Sequence, residues 1–521
     1  MTDVVLFQVP RIDLGADSDL FRELVEVWWS KRKRNIERSV RYDGEQALRD
    51  FGISLPPQMA NVGAALGWTA KGVHAVTDRS RFEGFVDGSG VTDPYDLEQV
   101  MFENRFQIEL PAAQVSSAVH GCSFITVTSG DVQSGEPEVL MMARAADVSA
   151  AVWDKRRRAL KGFLSIVDTD KDGQLTELTM YTPATVYTMR RRPSGRWDVA
   201  SVRNPLGVVP VAPLVHKFEL RRPLGHSRIT RASMYYTDAA LRAIVRSEVS
   251  SEFYSAPEYW LFGADVSEFV GNDRWSAVMG RIKALDTDSN DGADKPDLHR
   301  FTGASPQPHI EQLRMWANLF ADDQDMDVKF ADSANPSSAD AIFAAKETLI
   351  TTTKDANKLW GYGATQAMQF AVMLRDDLDA MPDELRTLSA QYTDPAIVSP
   401  SARADAFSKL AVNIEGFATS TVGLKYSGLP MEDIRQFQEE QRRRNAGTLV
   451  DALASQPAGE DAVAEANALK VKLDALGIAI RAGVDPESAA AALGLEGLKF
   501  TGAFPVTLRL PEETASELEE K

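Results

Sequence analysis

The 521-residue chain has a single cysteine, Cys122, so it can form no internal disulfide and no multi-cysteine metal site. That thiol opens the apolar run CSFITV and reads as a buried small hydrophobe, not a nucleophile. Apolar runs of about 18 residues are absent, and the opening MTDVV is no basic-then-apolar leader. The sequence therefore predicts neither a membrane span nor a signal peptide, and points to a cytoplasm. Histidine is scarce, and His74, His120, His216, His226, His299 and His309 stand without ligand spacing. Phosphate-cradle (GxxxxGK[ST]), zinc-hydrolase (HExxH) and nucleophile-elbow (GxSxG) signatures are missing. No catalytic residue, metal site or cofactor is assigned. Cations are also few, 57 against 75 acidic residues, and the net charge of -18 argues against tight nucleic-acid binding.

Among what is present, the run from Gly225 to Pro257 stands out. At helical spacing Arg228, Arg231, Arg242 and Arg246 fall within roughly a 60° sector. Ala239, Ala240, Ala243, Ser247, Ser250 and Ser251 gather on a second side, and Met234, Leu241, Val245 and Val249 on a third. A basic strip beside small residues suits a helix packed closely against copies of itself. An ordinary half-buried helix with solvated arginines gives the same pattern.

Elsewhere the periodicity predicts alternating helical and strand-rich stretches. Ser18 is placed as the cap of a helix carrying Phe21, Leu24, Val25, Trp28 and Trp29, with the basic run Lys31 to Arg34 at its end. That run reads as solvated charge complementing the helix dipole, with nucleic-acid contact as the alternative. From Phe106 to Phe218 short β-rich runs predict a β subdomain. Within it Asp168, Asp170, Asp172 and Gly173 match a calcium loop, but Thr179 replaces the bidentate glutamate and the flanks read as strands. A hairpin turn is preferred, and Pro193-Ser194-Gly195 marks another. Tyr259 to Phe262 reads as a strand, Arg274 to Leu285 as a helix, and Thr287 to Asp297 as an exposed turn.

His309 to Phe320 is an amphipathic helix, followed by Asp322, Asp323, Asp325 and Asp327 at the end where the helix dipole disfavours anions. These acids fit a channel lining or a solvated acidic turn, and by themselves do not support a cation site. Ser337, with Asp340, is placed as the cap of a helix from Ala341 to Arg375, roughly 50 Å long at ~1.5 Å per residue, with a bend at Gly361 and Gly363. Beyond Pro400 the pattern is helical: Arg403 to Thr419, Met431 to Asn445, Glu460 to Ile480, and a short helix in GVDPESAAAALGL, before a strand and an acidic tail.

The order of these features resembles the portal proteins of tailed double-stranded-DNA phages, in the SPP1-like, actinobacteriophage group. The resemblance rests on Tyr42-Asp43-Gly44, on Asn61 and on Arg81 before Gly84-Phe85. It continues in Gly225 and Ser227 opening a long helix with Glu248, in the strand after it, and in the AGVDPESAAAALGL phrase. It implies an α+β portal-protein fold with a β-rich wing, long stem helices, a small α/β clip, a kinked long helix and a helical C-terminal crown. The implied segments are wing 1–224, first stem helix 225–256, clip 257–308, second stem helix 309–324, tunnel loop 325–339, long helix and return to the wing 340–400, and crown 401–521. Asp325, Asp327, Lys329, Asp332 and Asn335 would belong to the tunnel loop. Arg228, Arg231, Arg242, Arg246, Ala239, Ala243 and Ser247 would pack neighbouring subunits.

The implied partners are further copies of the chain in a ring of about twelve, the major capsid protein, the large terminase subunit, a head-tail adaptor and duplex DNA in transit. The implied location is a capsid vertex of the virion, after assembly in the host cytoplasm. Acidity would then keep DNA sliding, although solubility explains the bare charge equally well. A minor capsid or adaptor protein, or a calcium-dependent enzyme, remain the alternative readings.

Overall fold

The computed structural model describes residues 10–45, 65–88, 93–171, 173–255, 258–262, 282–285, 297–301, 305–326, 339–396 and 400–429, with isolated positions from 433 onward. The chain divides into two compact units, Met1–Ile397 and Val398–Lys521.

In the first unit, α1 (Ser18–Tyr42) lies on a five-stranded antiparallel sheet of β4 (Ser149–Asp154), β5 (Ala159–Thr169), β6 (Leu175–Tyr181), β7 (Thr185–Arg191) and β8 (Trp197–Arg203), paired in that order. Phe21, Leu24, Val25 and Trp28 bury against Leu164, Ile166, Leu178, Met180 and Met189, as their helical and alternating spacings require. Ser18 is not the cap: it is the first helical residue, and its Oγ accepts the Leu14 amide at 2.9 Å. The helix also runs on past the basic run, so Lys31 to Arg34 sit in its interior. Arg32 lies 5.7 Å from the Trp28 and Trp29 ring centres.

The second layer is built on β3 (Val139–Ala145), β2 (Cys122–Ser129) and β9 (Val211–Val215), paired in that order. The β subdomain starts at Cys122, because Phe106–His120 forms helix α4, which ends at Gly121 in left-handed conformation (φ +107°). Helices α2 (Trp68–Thr77), α3 (Leu97–Glu103) and α4 share one core with these strands, and the long helix Ala339–Arg375 contributes Trp360, Ala364, Ala367, Met368 and Ala371 to it. Phe124 of β2 meets Phe163 of β5 at 4.8 Å between ring centres, joining the two sheets. Cys122 is buried nearby, and burial pushes its thiol up to about 12.

Both expected hairpins form. In the first, Asp170 accepts the Gln174 amide at 2.8 Å and Asp168 accepts the Thr176 hydroxyl at 2.9 Å; Asp172 lies outside the described residues. In the second, Gly195 takes φ +80°.

After α5 (Arg231–Ser255) comes a small sheet in which β10 (Glu258–Phe262) pairs parallel to β11 (Ile282–Leu285) and antiparallel to β12 (Asp297–Phe301). Ile282–Leu285, expected to end a helix, is thus a strand. Helices α6 (Gln307–Asp323) and α7 (Ala339–Arg375) follow. α7 runs through Gly361 and Gly363 without interruption. Gly363 serves a close approach, since a Cβ there would stand 2.5 Å from the Pro213 carbonyl of β9. A short helix α8 (Asp383–Arg386) leads to β13 (Ser389–Tyr392), which pairs with β1 (Phe82–Val86).

The second unit contains α9 (Pro400–Asn413) and α10 (Thr421–Ser427), the latter capped by Ser420, whose Oγ accepts the Gly423 amide at 3.0 Å. Ser337, most of Glu460 to Ile480 and most of the GVDPESAAAALGL phrase lie outside the described residues.

Candidate functional site

The expected first stem helix is shorter than its pattern. Gly225 takes φ +72°, where a Cβ would collide with the His216 carbonyl, and residues 225–230 form a strap across the end of α4. Ser227 Oγ donates to the Val119 carbonyl at 2.5 Å, and the Arg228 amide donates to the Ala118 carbonyl at 2.8 Å. Only then does Thr230 Oγ1 accept the Ser233 amide at 2.9 Å and start the helix at Arg231.

Arg228 therefore does not join the basic strip. It is buried, at 2% exposure, and its Nε donates to the Gly72 carbonyl at 2.6 Å while Nη2 donates to the Gln324 carbonyl. Its Nη1 lies 3.7 Å from Asp325 Oδ2. Burial lowers its pKa, against the opposing pull of Asp325 and Asp323. Ala239 and Ala243 also depart from the expectation, being already buried within the protomer at 5% and 1% exposure. Arg231 is exposed, while Arg242, Arg246 and Ser247 are half-buried.

Helix α6 returns antiparallel to α5: Tyr236 stacks on Trp316 at 6.1 Å between ring centres, and Thr230 Oγ1 donates to Asp323 Oδ2 at 2.9 Å. At its end Gln324 Nε2 donates to Asp323 Oδ2 at 2.6 Å and to the Arg228 carbonyl at 3.2 Å. Asp325 adopts φ +51° and accepts the Thr352 hydroxyl of α7 at 3.1 Å. Asp323 and Asp325, expected in a channel-facing acidic stretch, are instead fastened to the protein's own donors. Asp327, Lys329, Asp332 and Asn335 lie outside the described residues.

A second arginine ties α1 to α5. Arg41, at 8% exposure, holds Asp238 of α5 with both nitrogens, at 2.8 and 3.1 Å. Trp68 of α2 packs on Phe320 of α6 at 5.4 Å. Gly72 is what admits Gln324, because a Cβ there would stand 2.7 Å from its Oε1. Sequence reasoning missed Gln324, Thr352, Arg41 and Asp238, whose partners lie far away in the chain. The one local signal was Gly72, a glycine inside a helical pattern, which implies close packing.

Helices α5 and α6 thus form an antiparallel pair rooted in a mixed α/β body, with a short three-stranded sheet between them in the chain, and no catalytic constellation is assembled among the described residues. Residues 90–446 match the family model of phage portal proteins described as SPP1 Gp6-like, and the chain belongs to that family. It is 28% identical over 450 residues to the portal protein of Mycobacterium phage L5, covering 82% of this chain and 90% of that one. It is 27% identical over 457 residues to the portal protein of Mycobacterium phage D29, covering 84% and 92%. Similar solved structures include a chain from the virion of a native gene transfer agent particle, with TM-score 0.39, 12% identity and coverage of 76% of this chain and 99% of that chain. Another comes from the neck of that particle computed with C12 symmetry, with TM-score 0.38, 12% identity and coverage of 75% and 98%. The family is structural, and its members are virion components that give DNA its passage.

Proposed function

We propose that about twelve copies close into a ring at a capsid vertex, with α5 and α6 forming the channel stem. The observation carrying this reading is apolar surface left uncovered on this helix pair: Tyr235 is 55% exposed, Met315 45% and Leu319 39%. Met315 and Leu319, four apart on one helix face, need a cover that the described residues of the protomer do not supply. Exposed Arg231 sits at the base of the same pair, and Arg242, Arg246 and Ser247 complete the subunit contact.

Residues 1–224 are the wing, which meets the major capsid protein. Residues 257–308 are the clip, which receives the large terminase subunit during filling and a head-tail adaptor afterwards. Residues 401–521 form the crown. The tunnel loop begins after Asp325, with Asp327, Lys329, Asp332 and Asn335 toward the duplex and residues 340–400 returning to the wing. Assembly takes place in the host cytoplasm. At -18 per chain, about twelve copies carry on the order of two hundred net negative charges, which repel the duplex and keep its contacts brief.

Negative-stain images of the purified protein should contain closed annuli, and Met315→Glu with Leu319→Glu should leave only open or small species. Annuli that persist in that variant would remove the stem contact. Asp327→Lys with Asp332→Lys should slow packaging while annuli still form; unchanged packaging would remove the tunnel-loop assignment.

A further inference from the structure

The five-stranded sheet carries two arginine-rich hairpins that treat their charges in opposite ways. On the β7–β8 hairpin Arg190 pairs with Glu177 at 2.9 Å, Arg191 with Asp170 at 3.8 Å and Arg192 with Asp198 at 2.5 Å. On the β4–β5 hairpin the tip reads Lys155-Arg156-Arg157-Arg158, all exposed. No carboxylate lies within ion-pairing distance of these four side chains among the described residues.

The tip is rigidly built. Asp154 Oδ1 accepts the Arg156 amide at 2.8 Å and the Arg157 amide at 3.0 Å, and the Arg158 amide donates to the Asp154 carbonyl at 2.8 Å. Those amides hold the Asp154 carboxyl below its ordinary range. Arg158 occupies a left-handed position, φ +53°, where glycine or asparagine would be unstrained. The root is packed: Trp153 lies against the cluster of Phe124, Phe163 and Tyr181. At the same end of the sheet β8 finishes on Arg203, also exposed, opposite Thr185.

We propose that the Lys155–Arg158 turn is a nucleic-acid contact, a clamp for the phosphate backbone of duplex DNA that is separate from the stem and does not depend on the channel reading. Arginine forks match phosphate oxygens, and the turn presents three of them beside a lysine on a preformed backbone, so that only the side chains are ordered on binding. In a chain of net charge -18 it is a local site of attraction in a field that otherwise repels DNA. Binding is independent of base sequence, because phosphates carry no base identity.

The test is fluorescence anisotropy of a labelled short duplex against the purified full chain across a salt series. Four phosphate contacts predict a log-log salt slope of about -3.6, falling to about -0.9 in Lys155→Ser/Arg156→Ser/Arg157→Ser, with at least about a tenfold loss of affinity at low salt. The same charge removed at the other hairpin, Arg190→Ser/Arg191→Ser/Arg192→Ser, should leave the slope unchanged. An unaltered circular dichroism spectrum in both variants guards against misfolding. Duplex binding by the first variant equal to wild type, or equal losses in both variants, overturns the proposal. If that first variant instead binds DNA normally but no longer enters procapsids, the turn belongs to an acidic face of the shell.

Discussion

Replacing Arg228 with alanine is the sharpest test of how the α5–α6 pair is anchored. The side chain is enclosed, and its guanidinium satisfies the Gly72 and Gln324 carbonyls while standing 3.7 Å from the Asp325 carboxylate. Removal strands the buried Gln324 carbonyl, at about 1–3 kcal/mol, and takes a second donor from the Gly72 carbonyl, which keeps its helical bond within α2. It also leaves a carboxylate without its buried cation, a loss of about 3–5 kcal/mol when one partner of such a pair is deleted. The two costs overlap because one group supplies both, so Arg228→Ala should destabilise the first unit by about 4 kcal/mol. That is a large share of the roughly 5–15 kcal/mol typical of a folded domain.

Arg228→Lys should recover about half, since an ammonium supplies charge but not the planar fork that reaches two carbonyls. Exposed Arg231→Ala should stay within about 0.5 kcal/mol as a protomer. Urea unfolding followed by tryptophan fluorescence reads these as midpoint shifts at constant slope. Arg228→Ala with Asp325→Ala should cost less than the sum of the single changes, by at least about 1 kcal/mol. A loss below about 1 kcal/mol for Arg228→Ala, or strict additivity in the pair, would refute this anchoring role of Arg228.

Two further predictions concern the core. Gly363→Ala should lower stability by about 1–3 kcal/mol, because the new methyl would press on the Pro213 carbonyl, whereas Gly361→Ala, whose nearest neighbour is 3.5 Å away, should be neutral or stabilising by up to about 1 kcal/mol. Thermal midpoints of the two variants check this, and equal losses would show that both glycines serve the helix path. Burial drives the His216 imidazole down to about 3 from 6.5, with Nδ1 donating to the His226 carbonyl at 2.8 Å. Between these values the unfolded chain binds the proton and the folded one does not, so stability falls as pH drops below 6.5. From pH 7 to 4.5 His216 should account for about 2–3 kcal/mol, measured as the difference in pH slope between wild type and His216→Gln; identical slopes would contradict the burial argument.

Much was legible from local pattern. The helical spacing of Phe21, Leu24, Val25 and Trp28, the strands around Asp170 and Gly195, and the amphipathic run ending at Phe320 all follow from side-chain periodicity and turn chemistry acting over a few residues. The order of those elements led to the portal family. Local pattern misled where long-range contacts compete. The helical wheel placed Arg228 with Arg231, but the fit of Ser227 and Arg228 to the α4 carbonyls outweighs one more helical turn. Ala239 and Ala243 looked like a face for a neighbouring copy, but they are buried within the protomer, where α6 and α2 pack against α5.

The sequence by itself determined most element types, though not the helix at Phe106–His120 or the strand at Ile282–Leu285, together with the absence of catalytic signatures and the acidic balance, because each depends on residue identity or short-range spacing. Tertiary structure alone decided which charges are used up inside the protomer and which are left outside. Arg41 with Asp238 and Arg228 with Gln324 are 197 and 96 residues apart, and only the packed fold brings them within hydrogen-bond reach, while the same fold leaves Lys155 to Arg158 facing water.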